Sequence, residues 1–122
     1  TLITGDLSFF YDINALWNRH IPCSFRIIII NNGGGGIFKI LPGFKEDDLF
    51  AEFIETKHIL SARSIAKMFS FNYTKVSSKF GLNLALRTFF KNSKKPKILE
   101  IKTSGIKSTK ILKDYFRYLS KS

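Results

Sequence analysis

Apolar residues recur along this chain with two periods, one suited to strands and one to helices. Thr1 to Thr4 reads as the end of a buried strand, stopped by Gly5-Asp6. From Ser8 onward Phe9, Ile13, Leu16 and Trp17 return at helical spacing, and Asp6 and Ser8 are both of a type that caps a helix N-terminus. After Ile21-Pro22 the stretch Phe25-Arg26-Ile27-Ile28-Ile29-Ile30 is β-branched and almost wholly apolar, as a central parallel strand covered on both faces has to be. It ends at Asn31-Asn32 and the glycines Gly33 to Gly36, a backbone free to approach a ligand. Ile37 to Leu41 predicts a short helical turn broken by Pro42-Gly43, and Glu46-Asp47-Asp48 opens an acidic segment running through Phe50, Phe53 and Ile54. Ser61 is placed to cap a helix containing Ile65, Met68 and Phe69; a strand over 72–76, a helix over 78–92, a strand over 97–102 and a helix over 108–119 follow. The order β-α-β-loop-α-β-α-β-α predicts an α/β fold, a parallel sheet flanked by helices on both faces.

Length and composition narrow this picture. A chain of 122 residues makes one domain, 1–122, and 44% hydrophobic with 15% aromatic residues is far more buriable surface than a disordered chain carries. The longest aliphatic run, Ile27 to Ile30, falls well short of the ~20 residues of a membrane span, so no span is expected. A lone Cys23 excludes an internal disulfide and a Cys-rich zinc site and fits a reducing compartment, the cytoplasm. Cys23 itself, just before a buried strand, reads as a partly buried small residue and not a nucleophile. His20 and His58 have no Cys or carboxylate at metal-ligand spacing, which favours surface or packing roles.

Charge is unevenly divided. Residues 1–60 hold five Lys and Arg against seven Asp and Glu, whereas residues 61–122 hold fifteen against two. A basic nucleic-acid-binding module is the reading from another class, and it predicts affinity that depends on residues 61–122 and falls steeply with salt. The lysines are scattered singly, which reads as a solvated face, and Tyr115, Phe116 and Tyr118 are expected to pack on the sheet and not to stack on bases; no nucleic-acid partner is expected. With neither an initiating Met nor a charged-then-apolar leader, the chain reads as a piece of a longer polypeptide, truncated at its amino end, with apolar surface and a strand edge left open to self-association.

Ligands of open parallel sheets bind outside the carboxyl ends of the strands. Two features fall there together, Gly5-Asp6-Leu7-Ser8 after the first strand and Asn31-Asn32-Gly33-Gly34 after the second. Taken singly, each reads as a helix cap or a turn. Together Asp6 offers a hard anionic oxygen, Asn32 or Asn31 an amide oxygen, and the glycines backbone groups. Magnesium takes a few such oxygens and fills its octahedron from phosphate and water. Free N–H groups at the helix start suit an anion, which completes a site for a magnesium diphosphate. A P-loop is excluded because Gly36 is followed by Ile37-Phe38, and no G-x-G-x-x-G passes through Gly33 to Phe38.

Gly5-Asp6, the 24 residues Leu7 to Ile30, then Asn31-Asn32 resembles the thiamine-diphosphate motif, with Leu7 where that motif has a further Gly. The strings GDLSFFYDINALWN and RIIIINNGGGGIFKILPG resemble, more narrowly, the menaquinone-pathway carboligase family MenD. The resemblance implies the carboxyl-terminal part of a thiamine-diphosphate-binding domain. It implies magnesium, with manganese as a substitute, held by the Asp6 carboxylate, the Asn32 side-chain oxygen and the Gly34 carbonyl, with Asn31 the alternative one register away. It also implies cofactor contacts at Gly5, Leu7, Ser8, Gly35 and Ile37, and a pocket for thiazolium and substrate lined by Ile37 and Phe38. Ordinary core packing is the competing role for Phe38. The reaction implied is decarboxylation of 2-oxoglutarate and addition of the remaining unit to isochorismate, giving the product abbreviated SEPHCHC. The family works as a homo-oligomer in which a glutamate of another domain, usually the partner subunit's, activates the aminopyrimidine. No residue of this chain matches a catalytic role, so the isolated chain is expected to be inactive. The acidic segment at Glu46-Asp47-Asp48 is either a solvated helix start or a mobile lid. Another thiamine-diphosphate decarboxylase or carboligase is the nearest alternative.

Overall fold

A computed structural model describes residues 1–36 and 55–120. The expected helical turn at Ile37–Leu41, the acidic segment at Glu46-Asp47-Asp48 and the pocket residues Ile37 and Phe38 lie outside them. The chain divides into two compact units, Thr1–Asn31 with Leu60–Lys102, and Asn32–Ile59 with Thr103–Ser122.

The first unit is a four-stranded sheet, β1 (Leu2–Gly5), β2 (Arg26–Asn31), β3 (Asn72–Val76) and β4 (Lys97–Lys102), in the order β1-β2-β4-β3. Every pairing is parallel. Three helices cross between strands, α1 (Asp6–Tyr11), α2 (Arg63–Met68) and α3 (Lys79–Phe89), and a 3-10 turn over Ile13–Leu16 follows α1. Alternation along β2 divides the core. Ile27 and Ile29 pack with Phe9 of α1, Ala62, Ala66 of α2, Phe71 and Ile98 on one face. Ile28 packs with Val76, Leu99 and Phe89 of α3 on the other. Helices therefore cover both faces, and the apolar run of β2 is buried because it serves two cores at once. The second unit contains α4 (Gly105–Leu119), capped by the Ser104 hydroxyl, which accepts from the Lys107 N–H.

Local details depart from the sequence pattern for identifiable reasons. Helix α1 begins at Asp6 with Gly5 as its N-cap and no side-chain cap, so neither Asp6 nor Ser8 caps it. Asp6 Oδ1 instead accepts from the next residue, Leu7 N–H, at 2.9 Å, and its charge sits in the first turn, where the helix dipole favours it. The helix stops at Tyr11, and the tighter 3-10 turn carries Ile13 and Leu16 back to the core while Trp17 is left 87% exposed. Strand β1 is an edge strand with Leu2 and Ile3 exposed, not a buried one. Helix α3 ends at Phe89, short of the expected 92, because cations gather its last carbonyls. Arg26 Nε donates to Phe89 O at 2.8 Å and Arg26 Nη2 to Lys91 O at 2.9 Å, while Lys97 Nζ reaches Thr88 O and Lys91 O. Burial pushes the Lys97 ammonium pKa down, and the Arg26 and Lys91 charges add to the effect. Helix α4 starts three residues before Ser108 because Ser104 supplies the cap, and it carries no buried residue. Tyr115, Phe116 and Tyr118 are exposed, against the expected packing role, and so is Cys23. Among the described residues no helix is long and apolar enough to cross a membrane.

Candidate functional site

Parallel pairing of β1 with β2 sets Gly5 beside Ile30. The segments beginning at Asp6 and Asn31 therefore leave the sheet at one edge, the carboxyl end where parallel α/β sheets hold ligands. Asp6 is buried, Leu7 half-buried, and Gly5 and Ser8 exposed. Ser8 also lines a cavity of about 390 Å³ with Leu2, Phe9, Leu16, Ile21 and Phe25. That cavity is apolar and receives nothing from Asp6 or Asn31, so it is no place for a diphosphate.

Asn31 and Asn32 have different duties. The Asn31 amide is wholly buried and hydrogen-bonded at both ends: Nδ2 donates to Glu100 Oε1 at 2.8 Å and to Leu60 O at 3.0 Å, and Oδ1 accepts from Lys102 Nζ at 3.1 Å. An oxygen already facing an ammonium is a poor ligand for a divalent cation. Asn32 follows it in the chain and opens the second unit. There Asn32 Oδ1 accepts from Gly34 N–H at 3.2 Å and Gly34 O from Gly36 N–H at 3.0 Å.

The glycine loop is tied to a returning stretch of the same unit. Gly35 N–H donates to Glu55 O at 2.6 Å and His58 N–H to Gly33 O at 3.1 Å. Gly33 has φ 84°, in the left-handed region. At Gly34, φ +153°, a Cβ would lie 2.8 Å from Glu55 O, so the close approach that demands glycine here is to the chain's own backbone. Thr56, between these contacts, is β-branched yet has φ 49°, a strained conformation held by its surroundings. His58 is half-buried and His20 exposed, in keeping with packing and surface roles.

The donor set of one carboxylate, one amide oxygen and one peptide carbonyl is hard-oxygen chemistry and fits magnesium with phosphate and water completing the shell. Among the described residues no cluster of three or more His, Cys, Asp or Glu forms an all-side-chain metal site.

Sequence reasoning missed the buried carboxylate at the centre of the sheet. Glu100 on β4 is wholly buried and accepts four hydrogen bonds: Tyr73 Oη at 2.7 Å, Ala62 N–H at 2.8 Å, Asn31 Nδ2 at 2.8 Å and Ser61 Oγ at 3.0 Å. Burial pushes its carboxyl pKa up, but the donors, led by Tyr73, outweigh burial and leave it below the ordinary value. The Tyr73 phenol is raised to about 12, first by burial, with Glu100 adding and Ser61 opposing. Ser61 consequently does not cap α2, whose N-cap is Ala62 without a side-chain bond. A signal existed: Glu100 and Asp114 are the only acids in residues 61–122, and Glu100 stands in an apolar strand on the same side as Ile98.

Fold and strand-end chemistry together define an α/β domain of the kind that carries a ligand at the carboxyl edge of a parallel sheet. No family model matches the chain. A 2-succinyl-5-enolpyruvyl-6-hydroxy-3-cyclohexene-1-carboxylate synthase from Christiangramia forsetii is 49% identical over 119 residues, covering 98% of this chain and 21% of that protein. Synthases of the same name from Flavobacterium johnsoniae and Bacteroides fragilis are 48% and 41% identical, each over 97% of the chain and 21% and 22% of their own lengths. The chain belongs to this synthase family, the MenD family, and spans about a fifth of the length of the curated relatives it matches.

Proposed function

We propose that this chain supplies the magnesium and diphosphate end of a thiamine diphosphate site. The enzyme it serves decarboxylates 2-oxoglutarate and adds the remaining succinyl semialdehyde unit to isochorismate, giving SEPHCHC for menaquinone synthesis in the cytoplasm. The observation that supports this most directly is the parallel register of β1 on β2, Gly5 beside Ile30, which brings the Gly-Asp and Asn-Asn segments off the sheet at one edge. The relatives' name supplies the product, and the two substrates and the cofactor are what the motif resemblance implies.

In this reading the Asp6 carboxylate, Asn32 Oδ1 and the Gly34 carbonyl hold Mg²⁺, for which Mn²⁺ substitutes. Gly5, Leu7, Ser8, Gly35 and Ile37 bound the cofactor, and Ile37 and Phe38 face the substrate. Bound thiamine diphosphate supplies the carbanion chemistry of decarboxylation and carboligation. Asp6 moves no proton; it fixes the cation by charge, and its burial keeps that charge unscreened. No residue of the chain is assigned an acid–base role, so the chain by itself turns nothing over and the complete site needs a homo-oligomer of full-length subunits.

The test is an assay of the full-length protein with Mg²⁺ and thiamine diphosphate. Product of the SEPHCHC mass from 2-oxoglutarate and isochorismate is expected, with cofactor binding lost in Asp6→Ala. Turnover of pyruvate without that product would assign a different carboligase, and undiminished cofactor binding in Asp6→Ala would remove the site.

A further inference from the structure

Strand register carries a basic residue to the edge from which Asp6 leaves. β1 pairs Gly5 with Ile30, and β2 pairs Ile30 with Ile101 and Asn31 with Lys102. Asp6 follows Gly5 as Asn31 and Lys102 follow Ile30 and Ile101, so an acid, an amide and a base stand in that order along the carboxyl edge of β1, β2 and β4. All three belong to the first unit. The outer two are separated by two strand spacings, roughly 10 Å.

Lys102 is half-buried and its ammonium is held in one direction. Nζ donates to Asn31 Oδ1 at 3.1 Å, and that oxygen is turned toward it because Nδ2, the other end of the amide, is engaged by Glu100 Oε1 at 2.8 Å and Leu60 O at 3.0 Å. An ammonium has three N–H groups, and among the described residues Lys102 finds a partner for one. Lys97, at the other end of the same strand, donates to the Thr88 and Lys91 carbonyls and so completes the end of α3. Lys102 closes no helix.

We propose that Lys102 is a further cofactor-binding residue, a lysine at the carboxyl end of β4 that receives the diphosphate across the edge from Asp6. The inference rests on the function proposed above and deepens it. A divalent cation held by the Asp6 carboxylate has one of its charges matched there, and what remains is less than a diphosphate ester brings. A cation on the same edge of the same unit restores the balance, and its tether to Asn31 removes part of the rotamer freedom that a lysine otherwise loses on binding. Support of the Asn31 amide alone would need a donor but no charge, and a neutral amide side chain would meet it.

The test uses the full-length protein. Wild type is acetylated briefly with and without the Mg²⁺–thiamine diphosphate pair, and mass spectrometry reads each lysine; protection of Lys102 by the pair is expected, with Lys97 unchanged. Calorimetry of the same pair is expected to give a Kd about tenfold higher in Lys102→Gln, the loss of one charge-assisted hydrogen bond, with a shallower dependence on salt. Lys102→Arg is expected to retain most of the affinity. Lys97→Gln, which takes the same charge from the opposite end of β4, is expected to leave it unaltered. The acetylation arm needs no substitution and keeps the proposal testable if Lys102→Gln does not fold. Wild-type affinity in Lys102→Gln, an equal loss in Lys97→Gln, or protection of Lys102 by 2-oxoglutarate and not by the cofactor pair would overturn the proposal. Wild-type protein that binds no Mg²⁺–cofactor pair would instead overturn the function on which it rests.

Discussion

Replacing Arg26 by alanine tests how the amino end of the sheet is built. Arg26 is 4% exposed, and its guanidinium donates to four carbonyls: Phe89 and Cys23 at 2.8 Å, Phe25 and Lys91 at 2.9 Å. No carboxylate pairs with it among the described residues, so its charge is balanced by peptide dipoles, chiefly those ending α3. Truncation leaves Phe89 O without its donor, at a cost of about 1–3 kcal/mol, and removes a cation from a helix C-terminus, worth up to about 2 kcal/mol. Lys97 still serves Lys91 O at 3.0 Å and Thr88 O at 2.8 Å, which limits the damage. The net expectation is about 2–4 kcal/mol, or roughly a 30- to 700-fold rise in amide exchange through opening of β2 and β4. Native-state hydrogen exchange with mass spectrometry reads those strands separately from the rest of a large protein, where a single unfolding midpoint has no simple meaning. Arg26→Lys is expected to recover less than half of the loss, because one ammonium cannot serve carbonyls at both ends of the guanidinium. Exchange within about threefold of wild type in Arg26→Ala would refute the assignment, since 1.4 kcal/mol corresponds to a factor of ten.

Acid and alkali are expected to act through the Glu100 network from opposite sides. Glu100 has a folded pKa below its ordinary 4.5, so its contribution is present above that value and is lost as pH falls through the lower folded one; a urea titration in which Glu100→Gln has the wild-type acid slope would contradict this. Tyr73 is raised from 10.0 to about 12, so its contribution is intact below pH 10.0 and fades as pH rises toward 12, which phenolate absorbance of wild type against Tyr73→Phe can follow. Gly34→Ala places a methyl 2.8 Å from Glu55 O and is expected to weaken cofactor binding and speed exchange at 55–58, whereas normal binding would show that the loop can yield. The chain by itself is expected to self-associate through the β1 edge, where Leu2 and Ile3 are exposed, and Ile3→Lys is expected to shift sedimentation toward monomer; a monomer at all concentrations without the substitution would count against an open edge.

The four strands, their parallel sense and the two-sided cover of β2 were legible because Ile27 to Ile30 and the strand–helix alternation record them directly in composition and period. What periodicity does not encode is which polar atom meets which. Ser61 stands where a cap belongs, yet its hydroxyl is taken by Glu100, from a strand 39 residues away. Arg26 looks like an interruption in an apolar strand until α3 ends against it. The sheet order β1-β2-β4-β3, which carries Glu100 to the centre, is likewise a tertiary outcome. Around the strand ends, the duty of Asn31 was not readable: only coordinates give its amide to Glu100 and Lys102.

Anomalous diffraction at the manganese edge, from crystals of the full-length protein grown with thiamine diphosphate and Mn²⁺, tests the central claim directly. The account predicts one peak at direct coordination distance, about 2.1 Å, from the Asp6 carboxylate, Asn32 Oδ1 and the Gly34 carbonyl. A cofactor-bound peak coordinated by other residues, with Asp6 and Asn32 remote from it, would contradict it.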